Sequence, residues 1–520
     1  MTALFVFAAK EFSGNFLVRA LMLVMLLAGT IGIFVFTAQP PHSEARDAAP
    51  TVVFNVGHYS HDTSGAFLSV ALDTALIRSG WLWDHIESEQ LVQLTSLLAP
   101  AYLRIGGTLA DCLIFTANGT QRRVYDECAE GITYCSPDVR NFSMTGSEWT
   151  QIHDFCQRAG VQLLFDLNAL LRNGDNWDPT NAKQLLDFSD EHNLSATWQL
   201  GNEPNSFKHK FNVTVTGHQL GRDFGTLRAL LDSYPSSRAS ALVGPDVTRP
   251  LLDSAPSLSF LADFLDTAGR SISAVTWHHY YVDGRSATLE DFTNSSVFNS
   301  LAKQIKAVRA TARKKTPDLP LWLTETSSAY GGGAPGLSDV FVAGLLWLDK
   351  LGVSARLGVD AVVRQALYGG SYSLLDLHTL RPLPDWWLSV LYKRVVGRGV
   401  LRAPLPTGDV RLYCHCGPPG VPHSLAVFGA NLGQRSALVQ LEGAARPRPA
   451  SAVLAYVLTG QHGPLSRTVL LNGVPLQLEP DGSPPLLRPA VLPAGVLCLP
   501  PLSVAFFIVH GARVPECHHG

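Results

Sequence analysis

Two glutamates stand where an apolar run gives way to polar residues. Glu203 lies in Gln199-Leu-Gly-Asn202-Glu203-Pro204-Asn205, with Asn202 beside it and Pro204 stiffening the exit. Glu325 lies in Leu323-Thr-Glu325-Thr-Ser-Ser-Ala-Tyr330-Gly331-Gly332-Gly333. One such glutamate is usually a solvated loop residue or a partner for a helix N-terminus, and a triple glycine is usually a flexible turn. Two glutamates, one of them inside Asn-Glu-Pro, point to glycoside hydrolysis. That reaction needs one carboxylic acid to protonate the leaving oxygen and one carboxylate to attack the sugar or activate water.

From about residue 52 to 395, short β-rich runs alternate with helical patterns. VQLLFDLN (161–168), SATWQLGN (195–202), ALVGPD (241–246), SAVTWHHYY (273–281) and LPLWLTET (319–326) each end in polar residues, and amphipathic stretches separate them. That is the signature of parallel βα units. More than six units, with no Gly-x-Gly-x-x-Gly opening a helix, favour an α/β fold of the closed (β/α)8 TIM-barrel type over an open dinucleotide-binding sheet. Such barrels work at the C-terminal ends of their strands. Counting units puts Glu203 near strand four and Glu325 near strand seven or eight, on facing walls. With a gap of about 5 Å the second carboxylate is a nucleophile and configuration is retained, so Glu203 is expected as acid/base and Glu325 as nucleophile. After residue 397 helical periodicity gives way to short runs punctuated by Pro and Gly, which reads as a C-terminal antiparallel β-sandwich domain. The expected division is a leader over 1–45, a segment 46–62 able to pair with the sandwich, a barrel over 63–390 with an insertion at about 116–148, and the sandwich over 391–520.

The remaining composition bounds partners and compartment. The 520 residues carry 40 Lys and Arg against 43 Asp and Glu, a net charge of -3. A chain that coats nucleic acid is clearly basic, so nucleic acid is excluded as a partner and any anionic ligand needs a local patch. Lys10 and Arg19 precede an uncharged stretch over 20–38, readable as a signal peptide or a signal anchor, the one expected membrane contact. Either places the rest in the secretory pathway, for the extracellular matrix or lysosome. There an even set of 8 cysteines favours disulfides over metal ligands. Asn118, Asn141, Asn193, Asn212 and Asn294 open glycosylation sequons. No metal and no cofactor is implied.

Several blocks resemble the heparanases, retaining endo-β-glucuronidases built on a (β/α)8 barrel: AYLRIGGT (101–108), LNALLR (167–172), WQLGNEPNSF (198–207), AVTWHHYYVDGR (274–285), ETSSAYGGGAP (325–335), WLDKLG (347–352) and PLPDWWLSVLYKRVVG (382–397). The likeness runs from about residue 51 to 517 and is greater to catalytically active heparanase than to its inactive relative. It implies Glu203 as proton donor and Glu325 as nucleophile, Asn202 on the sugar 2-hydroxyl, and Tyr280 orienting the nucleophile. It implies backbone amides of Gly331 and Gly332 on the glucuronate carboxylate, and a cleft lined by Asp73, Thr108, Gln365 and Tyr372. Arg285, Lys208 and Lys210 supply positive charge, and at least one of His278 and His279 is expected to be structural. The substrate implied is heparan sulfate or a related glycosaminoglycan on proteoglycans. The likeness also pairs Cys416 with Cys517, and Cys156 with Cys128 or Cys135.

Three departures matter. Where the family carries a basic cluster after Gly-Pro-Asp-Val, this chain has Thr248-Arg249-Pro-Leu251-Leu252-Asp253. Another expected cluster is replaced by Ser143-Met-Thr-Gly-Ser-Glu148. The linker that mammalian members excise is short here, which favours a single chain. These losses point to a less sulfated substrate stretch or another glucuronide polymer. The competing readings are an exo-acting β-glucuronidase and a non-catalytic glycan-binding or receptor-modulating protein. Activity is expected at acidic pH, because the acid must carry a proton.

Overall fold

A computed structural model describes residues 49–119, 140–251, 256–447, 452–493, 495–511 and 514–518. Eight strands form one parallel sheet: β1 (Leu68–Asp73), β2 (Tyr102–Gly106), β3 (Gln162–Leu167), β4 (Thr197–Leu200), β5 (Val243–Val247), β6 (Ala274–Asp283), β7 (Leu321–Tyr330) and β8 (Ala361–Gln365). Their order in space is β4-β3-β2-β1-β8-β7-β6-β5. A parallel bridge from Trp198 to Leu242 brings the two ends together, so the sheet is a nearly closed barrel. One long helix follows or precedes each strand in turn: α1 (Glu89–Ser96), α2 (Gly146–Ala159), α3 (Thr180–Glu191), α4 (Gly217–Asp232), α5 (Pro256–Ala268), α6 (Ser295–Arg313), α7 (Ala343–Arg356) and α8 (Pro384–Val395). Strands buried on both faces carry near-continuous apolar runs, and helices with one apolar stripe cover them.

The stretch Ser143–Glu148, which carries no cation, has a structural use. Thr145 accepts from the Glu148 amide while the Glu148 side chain accepts from the Thr145 amide, a capping box that starts α2.

After α8 every element is a strand or a short turn. A nine-stranded sheet and a three-stranded sheet pack face to face. The strand Thr51–Val56 joins the smaller sheet, parallel to Ala437–Gly443, and Tyr59–Asp62 joins the edge of the larger one. Strand alternation divides the burial of the large sheet. Along Ser503–His510, Val504, Phe506 and Ile508 face the barrel, while Ala505, Phe507 and Val509 face the smaller sheet. Helix α7 is caught between barrel and sheet, and its residues 343–355 are all buried.

A disulfide joins Cys416 to Cys517 across 101 residues, a constraint worth roughly 4–5 kcal/mol in the chain-entropy account. That bond also takes the Cys416 thiol out of Cys414-His415-Cys416 as a metal ligand. The expected pairing of Cys156 is corrected. Cys156 is a free, buried thiol on the inner face of α2, in the apolar core with Phe155 and Trp149. Burial raises its thiol to about 12, the behaviour of a small apolar side chain. Cys128 and Cys135 lie outside the described residues. So does the apolar stretch 20–38; among the described residues no helix is long and apolar enough to cross a membrane.

Candidate active site

The barrel mouth is organised around one arginine that the sequence reading did not single out. Arg104, on β2, is fully buried. Its Nε donates to Gln199 Oε1 at 2.8 Å and its Nη1 to Glu325 Oε2 at 2.8 Å. Its Nη2 donates to Asp246 Oδ2 at 2.8 Å, Asn202 Oδ1 at 2.9 Å and Asp166 Oδ2 at 3.2 Å. Burial opposes the charge, but Asp246, Glu325 and Asp166 outweigh it and hold the guanidinium ionised. The following glycines make room for this side chain and its neighbour. A Cβ on Gly106 would fall 2.5 Å from Arg104 Cζ, and one on Gly107 would fall 2.7 Å from Asp73 Oδ2. A charged residue in the middle of AYLRIGG, followed by two glycines, was the readable signal.

Glu325, on β7, has both oxygens occupied: Oε2 by Arg104, and Oε1 by the Tyr280 hydroxyl at 2.9 Å. Glu203 follows β4 with φ 55° and ψ 54°, and Asp246, at the end of β5, has φ 53°. Two non-glycine residues in the left-handed region cost about 1–3 kcal/mol each and cluster at functional sites. They are tied together, since the Glu203 amide donates to the Asp246 carbonyl at 3.1 Å. Lys210 Nζ donates to Glu203 Oε2 at 2.8 Å and His278 Nδ1 to Oε1 at 3.1 Å. His278 Nε2 stands 3.2 Å from Asp246 Oδ2, and its Nδ1 stands 3.9 Å from Glu325 Oε1. The Oε1 atoms of the two glutamates are therefore at most 7.0 Å apart, the sum of the two distances to His278 Nδ1.

The charges follow from this geometry. For His278 the burial that would strip its proton is outweighed by Glu325 and Asp246, and the imidazolium persists to about 10. For Glu203 the burial that would protonate it is outweighed by Lys210 and His278, so its carboxyl sits well below the usual range. Asp246 is likewise held low, burial being overcome by Arg104 and His278. Asp111 holds the strand exits together: its carboxylate accepts from the Asn202 and Ala169 amides at 2.9 and 3.0 Å. Burial raises it to about 7.

Most of the expected residues meet here. Asp73 sits beside Gln365, whose Nε2 donates to Oδ2 at 3.3 Å, and burial together with the nearby Glu325 raises its carboxyl to about 6. Tyr280 and Tyr372 stack at 6.2 Å, with Tyr330 packed against them. Thr108 opens the short turn after Gly107. Gly331 and Gly332 have φ of 79° and 87°, and a Cβ on either would meet nothing within 4 Å. Backbone conformation, and not crowding, asks for glycine there; only Gly333 is also crowded, 2.8 Å from the Tyr372 amide.

The expected cations behave differently from one another. Lys210 belongs to the centre. Lys208 is exposed and donates to Asn212 Oδ1 at 2.6 Å. Arg285 is 78% exposed and held by Asp283 at 2.6 Å. Arg249 donates from Nη1 to the Tyr280 and Tyr281 carbonyls, each at 2.8 Å, and its guanidinium lies 5.4 Å from the Tyr330 ring centre. His279 points the other way along β6 and contacts Lys350 Nζ at 3.1 Å, outside the barrel mouth. Of the sequon asparagines, Asn118, Asn193, Asn212 and Asn294 are exposed and Asn141 is half-buried.

A (β/α)8 barrel with two carboxylates facing one another at its C-terminal mouth defines a glycoside hydrolase. Comparison with known proteins agrees. The model of "Glycosyl hydrolase family 79, N-terminal domain" matches residues 77–352. Heparanase of Gallus gallus is 39% identical over 497 residues, covering 87% of this chain and 94% of that protein. Hyaluronoglucuronidase of Hirudo nipponia is 32% identical over 486 residues, covering 87% and 96%. Among solved structures, a 4-O-α-L-rhamnosyl-β-D-glucuronidase from Fusarium oxysporum 12S shares the fold, with a TM-score of 0.66 at 17% identity, covering 88% of this chain and all of that one. The chain belongs to glycosyl hydrolase family 79, the heparanase family.

Proposed function

We propose that this enzyme is a retaining endo-β-glucuronidase cutting internal glucuronidic bonds of a sparsely sulfated glycosaminoglycan. The observation that carries the reading is His278 shared between Glu203 and Glu325. Its ceiling of 7.0 Å on the oxygen separation leaves little of the ~6.5–9.5 Å range of inverting enzymes and contains the ~5–5.5 Å of retaining ones. Glu325, held by Arg104 and aimed by Tyr280, attacks the anomeric carbon. Glu203 gives its proton to the glycosidic oxygen as that bond breaks. Water then attacks the glycosyl-enzyme, returns its proton to Glu203 and frees Glu325. Asn202, Asp73, Thr108, Gln365 and Tyr372 line the sugar site, and the amides at Gly331 and Gly332 receive the glucuronate carboxylate.

The site is arranged for the second step, in which Glu203 must be a base. Lys210 and His278 favour its carboxylate form. The first step needs the protonated form, so turnover gains as the pH falls. Low sulfate density follows from the cations: Lys210 serves Glu203, Arg285 is held by Asp283, Lys208 by Asn212, and Arg249 spends one amino group on backbone carbonyls. A single disulfide closing the C-terminal domain fits an oxidising, secretory compartment.

The test is digestion of heparan sulfate fractions of graded sulfation, hyaluronan and heparin, with products sized and their anomeric form read early. Large fragments with β configuration, released fastest from weakly sulfated chains, are expected. Release of terminal glucuronate alone makes the enzyme exo-acting, α products make it inverting, and no turnover on any glucuronide leaves the non-catalytic reading.

A further inference from the structure

The barrel helices differ in how they carry charge. Helix α3 sets Lys183 against Asp187, Asp190 and Glu191, and α4 sets Arg222 and Arg228 against Asp223 and Asp232. Such mixing is usual for a solvated helix face. Helix α6 breaks the pattern. Between Asp291 and Asp318 the chain has six basic residues, Lys303, Lys306, Arg309, Arg313, Lys314 and Lys315, and no acid, although the whole chain is net negative. Of the eight barrel helices only α6 has cations without an acid in its own span.

The helix turns these cations into a stripe. At 3.6 residues per turn, Lys303, Lys306, Arg313 and Lys314 fall within about 100° of one another. The core residues Phe298, Leu301, Ile305, Val308 and Ala312 occupy the opposite side. All four striped residues are exposed. The two cations outside the stripe are bound: Arg309 donates to the Leu357 and Gly358 carbonyls, and Lys315 pairs with Asp266. Among the described residues, no carboxylate lies within ion-pair distance of the four. Residues 303 to 314 span roughly 16 Å of helix. Because α6 runs back from the C-terminal end of β6 to the start of β7, the stripe descends the outer wall away from the catalytic mouth.

We propose that this stripe is a second, non-catalytic site that holds an anionic polysaccharide chain, keeping the polymer on the enzyme between cuts. The inference rests on the reading that the substrate is such a polymer. A linear chain bearing sulfates or carboxylates at regular intervals matches a straight row of unpaired cations, and the arrangement compensates for a cleft whose own cations are mostly engaged.

The test is binding by the full chain carrying Glu325→Gln, so that turnover plays no part, to immobilised heparin as the probe. The variant K303Q/K306Q/R313Q/K314Q keeps good helix formers at exposed positions. With each cation near a polyanionic surface worth about a factor of five, binding at physiological salt should weaken by roughly 10²- to 10³-fold, and its salt dependence should flatten. K183Q, which removes an exposed lysine already paired with Asp187, should leave binding unchanged. In the active enzyme the quadruple variant should slow turnover of long chains while a small chromogenic glucuronide is hydrolysed as before. Unchanged heparin affinity overturns the proposal, as does an equal loss on the small substrate. So does a variant that loses binding to vesicles of anionic phospholipid but keeps heparin, which assigns the stripe to membranes. A heparin loss in an enzyme that cuts no glucuronide leaves the site standing and removes the catalytic reading.

Discussion

Two neighbouring histidines on β6 point into two different polar clusters, one on each face of the strand. His278 enters the barrel mouth among Glu203, Asp246 and Glu325. His279 enters the layer between barrel and α7, beside Lys350, whose amino group also donates to the Ser327 carbonyl at 2.7 Å and to Thr326. Both rings are buried, yet they titrate in opposite directions. Carboxylates carry His278 up to about 10 against burial. Burial, reinforced by Lys350 and Arg249, drives His279 well below its ordinary value. Burial alone therefore does not mark function. The mouth collects opposite charges around Glu203 and Glu325, whose side chains keep 19% and 11% of their surface exposed. The outer cluster satisfies one buried amine, whose burial holds it well below the ordinary lysine value, with hydroxyl and carbonyl oxygens, which is a way of pinning β6 to β7.

The largest separation between the two regions comes from the carboxylates of the mouth. Glu325→Gln should remove essentially all turnover, and Glu203→Gln should cost about 10²- to 10⁴-fold in kcat, the usual worth of a positioned proton donor. Both should unfold cooperatively near the native Tm. An active Glu325→Gln enzyme would break the assignment of the nucleophile.

The second separation tests the histidines directly. His278→Gln should lower kcat roughly 10²-fold, since it removes the charge between Glu203 and Glu325. His279→Gln should leave kcat per folded molecule and the pH profile unchanged, and cost about 1–3 kcal/mol of stability through a disturbed buried hydrogen bond. Equal kinetic losses in both would erase the distinction between the faces of β6.

The same pair should divide stability by pH. His278 has a raised folded value, so its contribution is full below the unfolded value of about 6.5 and is lost as the pH rises towards about 10. His279 has a lowered one, so its contribution is present above about 6.5 and is lost as the pH falls below it. Denaturant titrations at pH 5, 7 and 9.5 should show the native protein losing to His278→Gln at alkaline pH, and to His279→Gln at acid pH. The same slope in both variants would contradict the opposite environments.

How much of this was legible beforehand follows from the range of each signal. The barrel declared itself through repeated apolar runs with polar ends, a local pattern. Glu203 and Glu325 stood out because their neighbours, Asn-Glu-Pro and the glycine run, are unusual within a few residues. Arg104 and Asp246 were quoted within motifs and not recognised, because their roles exist only when β2, β4, β5 and β7 converge. Lys208 and Lys210 looked equivalent in Lys-His-Lys, yet about half a turn of the short helix Phe207–Phe211 separates them and sends Lys210 to Glu203 and Lys208 to Asn212. The expected Cys156 pairing failed for a similar reason. The family likeness suggested a partner, while the apolar face of α2 buried the thiol.

The smallest expected effect concerns Lys210, where electrostatics and chemistry pull in opposite directions. Its ammonium favours the carboxylate of Glu203, which suits the base of the second step and opposes the acid of the first. Removing it in Lys210→Met raises the value of Glu203, so a larger fraction is protonated at any pH above that value. The basic limb of the kcat/KM profile should therefore move upward, by about one unit for each 1.4 kcal/mol of interaction lost. His278 still holds the other oxygen, so the shift stays short of the ordinary glutamate range. Deglycosylation, which needs the base, should slow at the same time, leaving kcat at the acid optimum within a few-fold of native. A limb that moves downward, or does not move, would mean that the proton comes from another group. Asp111, raised to about 7 beneath Asn202, is the first to substitute in that case.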